Sequence, residues 1–250
     1  MKKLLILLCA IAAISTAAYA QKPFLDTSRP EKFISFGLRA GLNSSGLDNN
    51  YLSAQPEMIQ NNFYWRTGGQ LGGSVDLYLR QFLAIQTGFF WENRGFDCSL
   101  MAADTNEDYM GSMFVNARFN YLHIPVMLSL KFNILPDVVS QLDFGMYYAI
   151  GVGGKKKQHS YIAFGDENSE LIFDTANTET GYFDAGSKDF LAVKKSDLGL
   201  KIGTGLTFFK HYFIGVYYQR GLKNIAQQNF GSPRLEFHNS CWNVSLGYNF

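Results

Sequence analysis

Residues 241–250 read Cys-Trp-Asn-Val-Ser-Leu-Gly-Tyr-Asn-Phe, so that large apolar side chains alternate with small polar ones up to the last residue. A period of two is typical of a β-strand with one apolar and one polar face. Ten residues is about the length that a tilted strand needs to cross a bilayer. This stretch therefore predicts a membrane-spanning strand, and it sets the interpretation of the rest of the chain.

The same alternation recurs in seven earlier segments of similar length. The eight predicted strands are 33–43, 69–79, 82–93, 119–132, 141–153, 197–209, 212–220 and 241–250. Their connections are short at 80–81, 134–140 and 210–211, and long at 44–68, 94–118, 154–196 and 221–240. Short turns at one end and long loops at the other are typical of small outer-membrane proteins. We predict an all-β fold, an eight-stranded antiparallel up-and-down transmembrane β-barrel.

One face of the eight segments is apolar throughout, and it carries no charged residue although 17% of the chain is charged. The opposite face is rich in Gly, Ser, Asn and Gln. A soluble barrel would need its apolar side chains inside, but this polar face could not form a hydrophobic core, so the apolar face is predicted to meet lipid. A soluble two-sheet sandwich is less favoured, because it would have almost no polar outer face. Pro125, inside the fourth segment, predicts a bulge.

The amino-acid composition argues against several other classes of protein. With 22 Lys+Arg and 21 Asp+Glu in 250 residues, nothing favours a nucleic-acid partner. A mean hydropathy of -0.07, with no long apolar run after residue 20, excludes a helical membrane bundle. The 16% aromatic content excludes a disordered chain.

The N-terminus has the organisation of an export signal. Lys2 and Lys3 precede an apolar stretch over 4–14, and Ala18-Tyr19-Ala20 forms a small-residue cleavage site. We predict a signal peptide at 1–20, a periplasmic N-terminal segment at 21–32 and the outer-membrane β-barrel domain at 33–250. The expected location is the cell outer membrane.

Charged side chains also occur on the polar, inward face of the strands. An eight-stranded barrel is only wide enough to be filled by side chains, so we expect these groups to pair into a polar plug. An ion or proton pathway is the less favoured interpretation. The predicted lumen plug comprises Arg39, Asp76, Glu92, His123, Asp143 and Lys201.

Cys98 and Cys241 both remain after signal cleavage, and the periplasm is oxidising. Both are predicted to lie at the long-loop end, on strands that are not neighbours. A disulfide needs Cα atoms within about 7 Å, so a bridge is considered beside the alternative of two free thiols.

Other polar groups carry weaker indications of chemistry. His238 and Ser240 flank the last strand as a rim hydrolase would require, but no carboxylate occupies a recognisable position beside them. The four histidines lack metal-ligand spacing, so we expect no metal site and no cofactor. Lys155, Lys156 and Lys157 are expected in a solvated outer loop, where anionic lipopolysaccharide is available.

Three stretches resemble a known family. They are Asn120-Tyr-Leu-His-Ile-Pro-Val126, Phe36-Gly-Leu-Arg-Ala-Gly-Leu-Asn43 and Tyr218-Gln-Arg-Gly-Leu-Lys-Asn-Ile225. They are similar to the PorT-like outer-membrane β-barrel family of Bacteroidota, and the likeness covers roughly residues 33–250. The resemblance implies an eight-stranded outer-membrane barrel and, for a few members, a role in a secretion apparatus.

The sequence thus predicts a barrel with a structural or envelope-assembly accessory role that is neither a wide pore nor an enzyme. The alternatives are a surface-binding module that uses the 154–196 loop, and the rim hydrolase. Expected partners are outer-membrane lipid and lipopolysaccharide, the outer-membrane insertion machinery, and an envelope or secretion-complex protein. The last strand is a candidate assembly signal, because an edge strand can pair with the machinery. That signal comprises Trp242, Val244, Leu246, Tyr248 and Phe250.

Overall fold

The structure of the protein is a computed structural model. It describes residues 23–50, 58–104, 109–165, 171–181, 183, 191–227 and 235–250, so the predicted signal peptide lies outside the described residues. Nine strands are present within these ranges: β1 (Ile34–Asn49), β2 (Met58–Arg80), β3 (Leu83–Asp104), β4 (Tyr109–Leu135), β5 (Val138–Gly165), β6 (Leu171–Gly181), β7 (Ser196–Phe208), β8 (Tyr212–Gly221) and β9 (Phe237–Asn249). Among the described residues no helix has the length and apolarity needed to cross a membrane.

Eight of the strands close into an antiparallel ring. Each strand pairs with its neighbour along the chain, β5 pairs with β7, and β9 returns to β1. The predicted eight-stranded up-and-down barrel is therefore confirmed. The remaining strand, β6, pairs with β5 outside the ring and lies within the predicted 154–196 loop.

The predicted orientation of side chains holds on all eight strands of the ring. From Trp242 onward on β9 the apolar residues point outward and the polar ones inward, and the two alternate in exposure along the strand. Aromatic residues mark both edges of this outward apolar band. Tyr218 packs on Trp242 at one edge (4.8 Å between ring centroids), and Tyr248 packs on Phe250 at the other (5.3 Å). Such paired girdles are typical of a barrel surrounded by lipid.

The two ends of the barrel differ strongly. The short turns and the C-terminus lie at one end, which we call the turn end. At the other end β2 to β5 run well beyond the aromatic edge, and together with β6 they form a five-stranded sheet, the extension. β4 has 27 residues and β5 has 28. In the predicted long loop 94–118, residues 94–104 and 109–118 are therefore strand, and so are residues 154–165 of the predicted long loop 154–196.

The alternation in the sequence did not predict the extension, because there the apolar side chains point inward and the polar ones point outward. Phe96, Leu100 and Val115 point inward there and are buried, whereas Asp97 and Asn116 lie on the outer face. This is the pattern of a sheet in water, with the apolar face inside. The outward apolar face, on which the predicted strands rest, therefore ends where the strands leave the lipid.

The bulge predicted at Pro125 is not there. The register between β3 and β4 is the same on both sides of the proline, and Thr87 donates a hydrogen bond to the Pro125 carbonyl at 2.8 Å. The irregularity lies on β5, where the partners of Asn120 and Tyr121 skip Val152. One extra residue exchanges the faces of the strand beyond that point. Lys156 is consequently buried, contrary to its predicted place in a solvated loop.

Residues 23–28 of the predicted periplasmic segment lie across the turn end. Phe24 stacks on Phe132 with 5.1 Å between ring centroids, and its carbonyl accepts from the Asn133 amide at 2.9 Å. The Asp26 carbonyl accepts from the Phe82 amide at 3.1 Å. These contacts fix the segment beside the β2–β3 turn.

Candidate functional site: the lumen and the extension

The structure places all six residues of the predicted plug inside the barrel, and all six are buried. It also shows which partners they have, which the sequence did not. Among the described residues, Arg94, Lys131 and Asp197 join them, so beside His123 four acidic and four basic side chains face one another in the membrane-spanning part. They are Asp76, Glu92, Asp143 and Asp197, with Arg39, Arg94, Lys131 and Lys201.

Glu92 and Arg94 are the centre of the network nearest the extension. Arg94 donates from Nε and Nη2 to Glu92 Oε2, at 2.9 and 2.5 Å, and from Nη2 to Gln219 across the lumen at 2.5 Å. His123 Nδ1 lies 3.6 Å from Glu92 Oε1. Two carboxylate–guanidinium hydrogen bonds fix the pair in a single geometry.

Asp197 supplies the second carboxylate of this network. Arg94 Nη1 lies 3.9 Å from its Oδ2, which also accepts from the Tyr147 hydroxyl at 3.0 Å and from Asn239 at 2.9 Å. Residues from four strands of the ring thus meet at one point. A buried charge is tolerated only with such partners.

A second network lies nearer the turn end. Lys131 donates to Asp76 Oδ2 at 2.5 Å and to the Tyr78 hydroxyl at 2.6 Å. Asp143 accepts from the Tyr217 hydroxyl at 2.8 Å. Lys131 lies on β4 and Asp76 on β2, so this ion pair spans β3, the strand between them.

The two remaining basic groups of the lumen lie over aromatic rings. The Arg39 guanidinium lies 4.1 Å from the Phe213 ring centroid and donates to Asn249 at 2.6 Å. The Lys201 ammonium lies 5.0 Å from the Tyr217 ring and 5.5 Å from the Phe90 ring. Both arrangements are favourable cation–π geometries.

An apolar cap closes the lumen at the extension end. It is one buried cluster that combines inward side chains of the extension with the connections before β7 and before β9. Its members include Phe96, Phe119, Leu191, Val193, Ile225, Leu235 and Phe237. Beneath it, the cavity lined by Arg39, Phe90 and Lys201 holds only about 20 Å³, about enough for one water molecule. At this level the barrel is filled by side chains.

Of the two alternatives for Cys98 and Cys241, the structure has the free thiols, and both are buried. β3 and β9 are separated by β2 and β1 in the ring. At about 4.8 Å per strand, three steps place the two cysteines too far apart for a disulfide. Burial raises the pKa of Cys98, which lies in the extension, to about 12.

The rim pair is not arranged as a hydrolase would need. The Ser240 hydroxyl donates its proton to Asp48 at 2.6 Å, and the same carboxylate lies 3.0 Å from Arg220. Ser240 therefore does not donate to His238. Within the described ranges there is also no group of three or more His, Cys, Asp or Glu that could hold a metal ion.

The candidate assembly signal lies on the outward face of the closing strand. β9 pairs with β1 on one side and with β8 on the other, so in the closed barrel both of its edges are occupied. Its five apolar side chains are all exposed to the surroundings of the barrel. They are Trp242, Val244, Leu246, Tyr248 and Phe250.

Comparison with known proteins gives a family match and similar solved structures. A family model described as an outer membrane protein beta-barrel domain matches residues 19–227. Among solved structures, Ail of Yersinia pestis is 14% identical with a TM-score of 0.38, covering 86% of this chain and 98% of Ail. OprG of Pseudomonas aeruginosa is 11% identical with a TM-score of 0.41, covering 91% of this chain and 99% of OprG. A search of characterised protein sequences gives no match.

Proposed function

Because this chain belongs to the outer membrane protein beta-barrel domain family, we propose that its work is done outside the membrane, by the extension. The protein lies in the outer membrane. In this proposal the barrel is an anchor, and the extension is a binding platform that faces the cell exterior. Outer-membrane barrels have short periplasmic turns and longer extracellular connections, which supports this orientation.

The observation that carries the proposal is the contrast between the lumen and the extension. Among the described residues, ion pairs fill the central lumen and the apolar cap covers it, which supports a role other than transport. The extension adds a sheet whose outer face exposes Tyr64, Phe114 and Tyr161. Half-exposed aromatic side chains on a rigid sheet are typical anchors of a binding surface.

A structural role in envelope assembly is a narrower form of the same proposal. The resemblance to PorT-like proteins of Bacteroidota supports it, and the ligand would then be a subunit of an envelope or secretion complex. The rim hydrolase is not favoured, because Ser240 donates to Asp48. A non-enzymatic role therefore stays part of the proposal.

Site-specific photo-crosslinking in intact cells tests the platform. A photoreactive amino acid is placed at Tyr64 or Tyr161 on the extension and, as the matched control, at exposed Arg220 on β8, where the ring has no extension. We expect discrete adducts from the two extension positions and none from position 220. The same adduct pattern at all three positions would contradict the proposal.

A further inference from the structure

The outer face of the extension contains an open groove of about 310 Å³ that crosses β2, β3 and β4 and reaches His159 on β5. Its sides are the rings of Tyr64 and Phe114, which are 54% and 49% exposed. Its floor includes the polar side chains of Asp97, Ser99 and Asn116. Small ligand sites in proteins have this size and this combination of apolar sides with a few polar groups.

The strand register explains how the groove forms. Tyr64 on β2 lies directly opposite Asp97 on β3, and Asp97 lies opposite Asn116 on β4. Phe114 is opposite Ser99, one step further along the same face. Two large rings therefore stand on the outer strands, and short polar side chains occupy the strand between them.

The polar floor is held in position but still has hydrogen-bonding capacity. Asp97 Oδ1 accepts from Arg66 at 2.9 Å and from Asn116 at 2.6 Å. Among the described residues, Asp97 Oδ2, Asn116 Oδ1 and the Ser99 hydroxyl have no side-chain partner. One carboxylate oxygen, one amide oxygen and one hydroxyl thus remain for a ligand.

We propose that this groove binds a pyranose sugar of a glycan, an inference that rests on the proposed binding function of the extension. A pyranose ring has a face of C–H groups, which packs on Tyr64 or Phe114, and a rim of hydroxyl groups. The hydroxyl groups donate to Asp97 and Asn116 and exchange hydrogen bonds with Ser99. An apolar ligand would leave these floor groups without partners, at a cost in binding.

The height of the groove above the lipid agrees with a sugar ligand. Trp91 on β3 is at the edge of the apolar band, and Asp97 is six residues further along the same strand. At about 3.3 Å per residue and a tilt of about 40°, the groove lies roughly 15 Å beyond that edge. In an outer membrane this is the layer of lipopolysaccharide sugars. The basic neighbour Arg118 suits anionic groups in such a chain, whereas Lys157 is paired with Glu179 at 3.4 Å.

The test measures binding by isothermal titration calorimetry to the folded, detergent-solubilised protein. The probes are core oligosaccharide, released from lipopolysaccharide by removal of its lipid, and a panel of free neutral oligosaccharides. Tyr64→Ala and Phe114→Ala are compared with Met110→Ala, which removes an equally exposed side chain from β4 outside the groove. Circular dichroism confirms that each variant is folded.

We expect binding of the wild-type protein to at least one probe, about tenfold weaker in Tyr64→Ala and Phe114→Ala and unchanged in Met110→Ala. Binding to the core oligosaccharide assigns the ligand to the cell's own outer leaflet, and binding to the free panel alone assigns it to an external glycan. Equal affinity of all variants, or no binding to any probe, would overturn the proposal. Crosslinks from Tyr161 in that case would show that the platform stands and has a ligand other than a sugar.

Discussion

Arg94 and Glu92 lie two residues apart on β3, and their side chains form a hydrogen-bonded ion pair that is almost completely buried in the lumen. The same guanidinium reaches Gln219 on β8 and approaches Asp197 on β7. One arginine thus connects three strands across the barrel. Together with the apolar cap above it, this network fills the space that a channel would need.

Removal of the arginine should therefore destabilise the barrel. Arg94→Met leaves Glu92 and Asp197 without their cation, and breaking a buried pair in this way costs about 3 to 5 kcal/mol. We expect the variant to unfold at a lower urea concentration in detergent. The mobility difference between the folded and the unfolded barrel on SDS gels measures this midpoint. Arg118→Met on the outer face of the extension is the control and should unfold like the wild type. Equal midpoints for both variants would show that the network does not stabilise the fold.

The outward apolar face should reject charge. Leu200→Arg places a guanidinium near the middle of β7 against lipid and should cost about 2 to 4 kcal/mol in a bilayer. Thr207→Arg on the same strand points instead toward a turn-end cavity of about 430 Å³ and should cost much less. Unfolding in lipid vesicles measures both. If the arginine at 207 is the more damaging one, the assignment of the two faces is wrong.

Cys98 and Cys241 should remain free and unreactive in the native protein. Burial raises the pKa of the Cys98 thiol, so at about pH 8 almost none of it is the reactive thiolate. In the chain without the predicted signal peptide, which carries Cys9, we expect no alkylation by iodoacetamide in the folded state and two added groups after unfolding without reductant, read by intact mass. A denatured protein that takes up label only after reduction would establish a disulfide instead.

The last residue should decide whether the chain inserts. Phe250 is exposed at the turn end, and its amide donates to the Phe36 carbonyl at 2.9 Å, which closes the barrel. If the final strand is the assembly signal, deletion of Phe250 leaves the chain in the periplasm as a protease substrate. Phe82→Ala, which removes another aromatic at the turn end, should still insert. Immunoblots of outer-membrane fractions compare them, and normal levels of the deletion variant would refute the signal role.

The sequence predicted the eight-stranded ring because every ring strand presents one uninterrupted apolar face to lipid. The extension was missed although its signal exists: Phe96-Asp97-Cys98-Ser99-Leu100 alternates just as strictly, but its apolar side chains face inward. β6 could not be found this way, because its residues 174–180 are polar or small.

The plug was predicted only in part, for a related reason. Strand alternation identifies an inward residue, and it could have included Lys131, which has the same parity as His123. Partners across the lumen depend on stagger and ring closure, which no single strand encodes. Asp76 and Lys131 meet across an intervening strand, and Arg94 lies just beyond the predicted end of the third segment.

Electrical recording from the purified protein in planar lipid bilayers tests the closed lumen most directly. The full chain is reconstituted, and the current is followed at moderate applied voltage in concentrated salt. A lumen filled by side chains and covered by the apolar cap predicts no stable conductance steps. A reproducible, ohmic open-channel current from the wild-type protein would contradict the account, because it would require a continuous water path past Arg94 and Glu92.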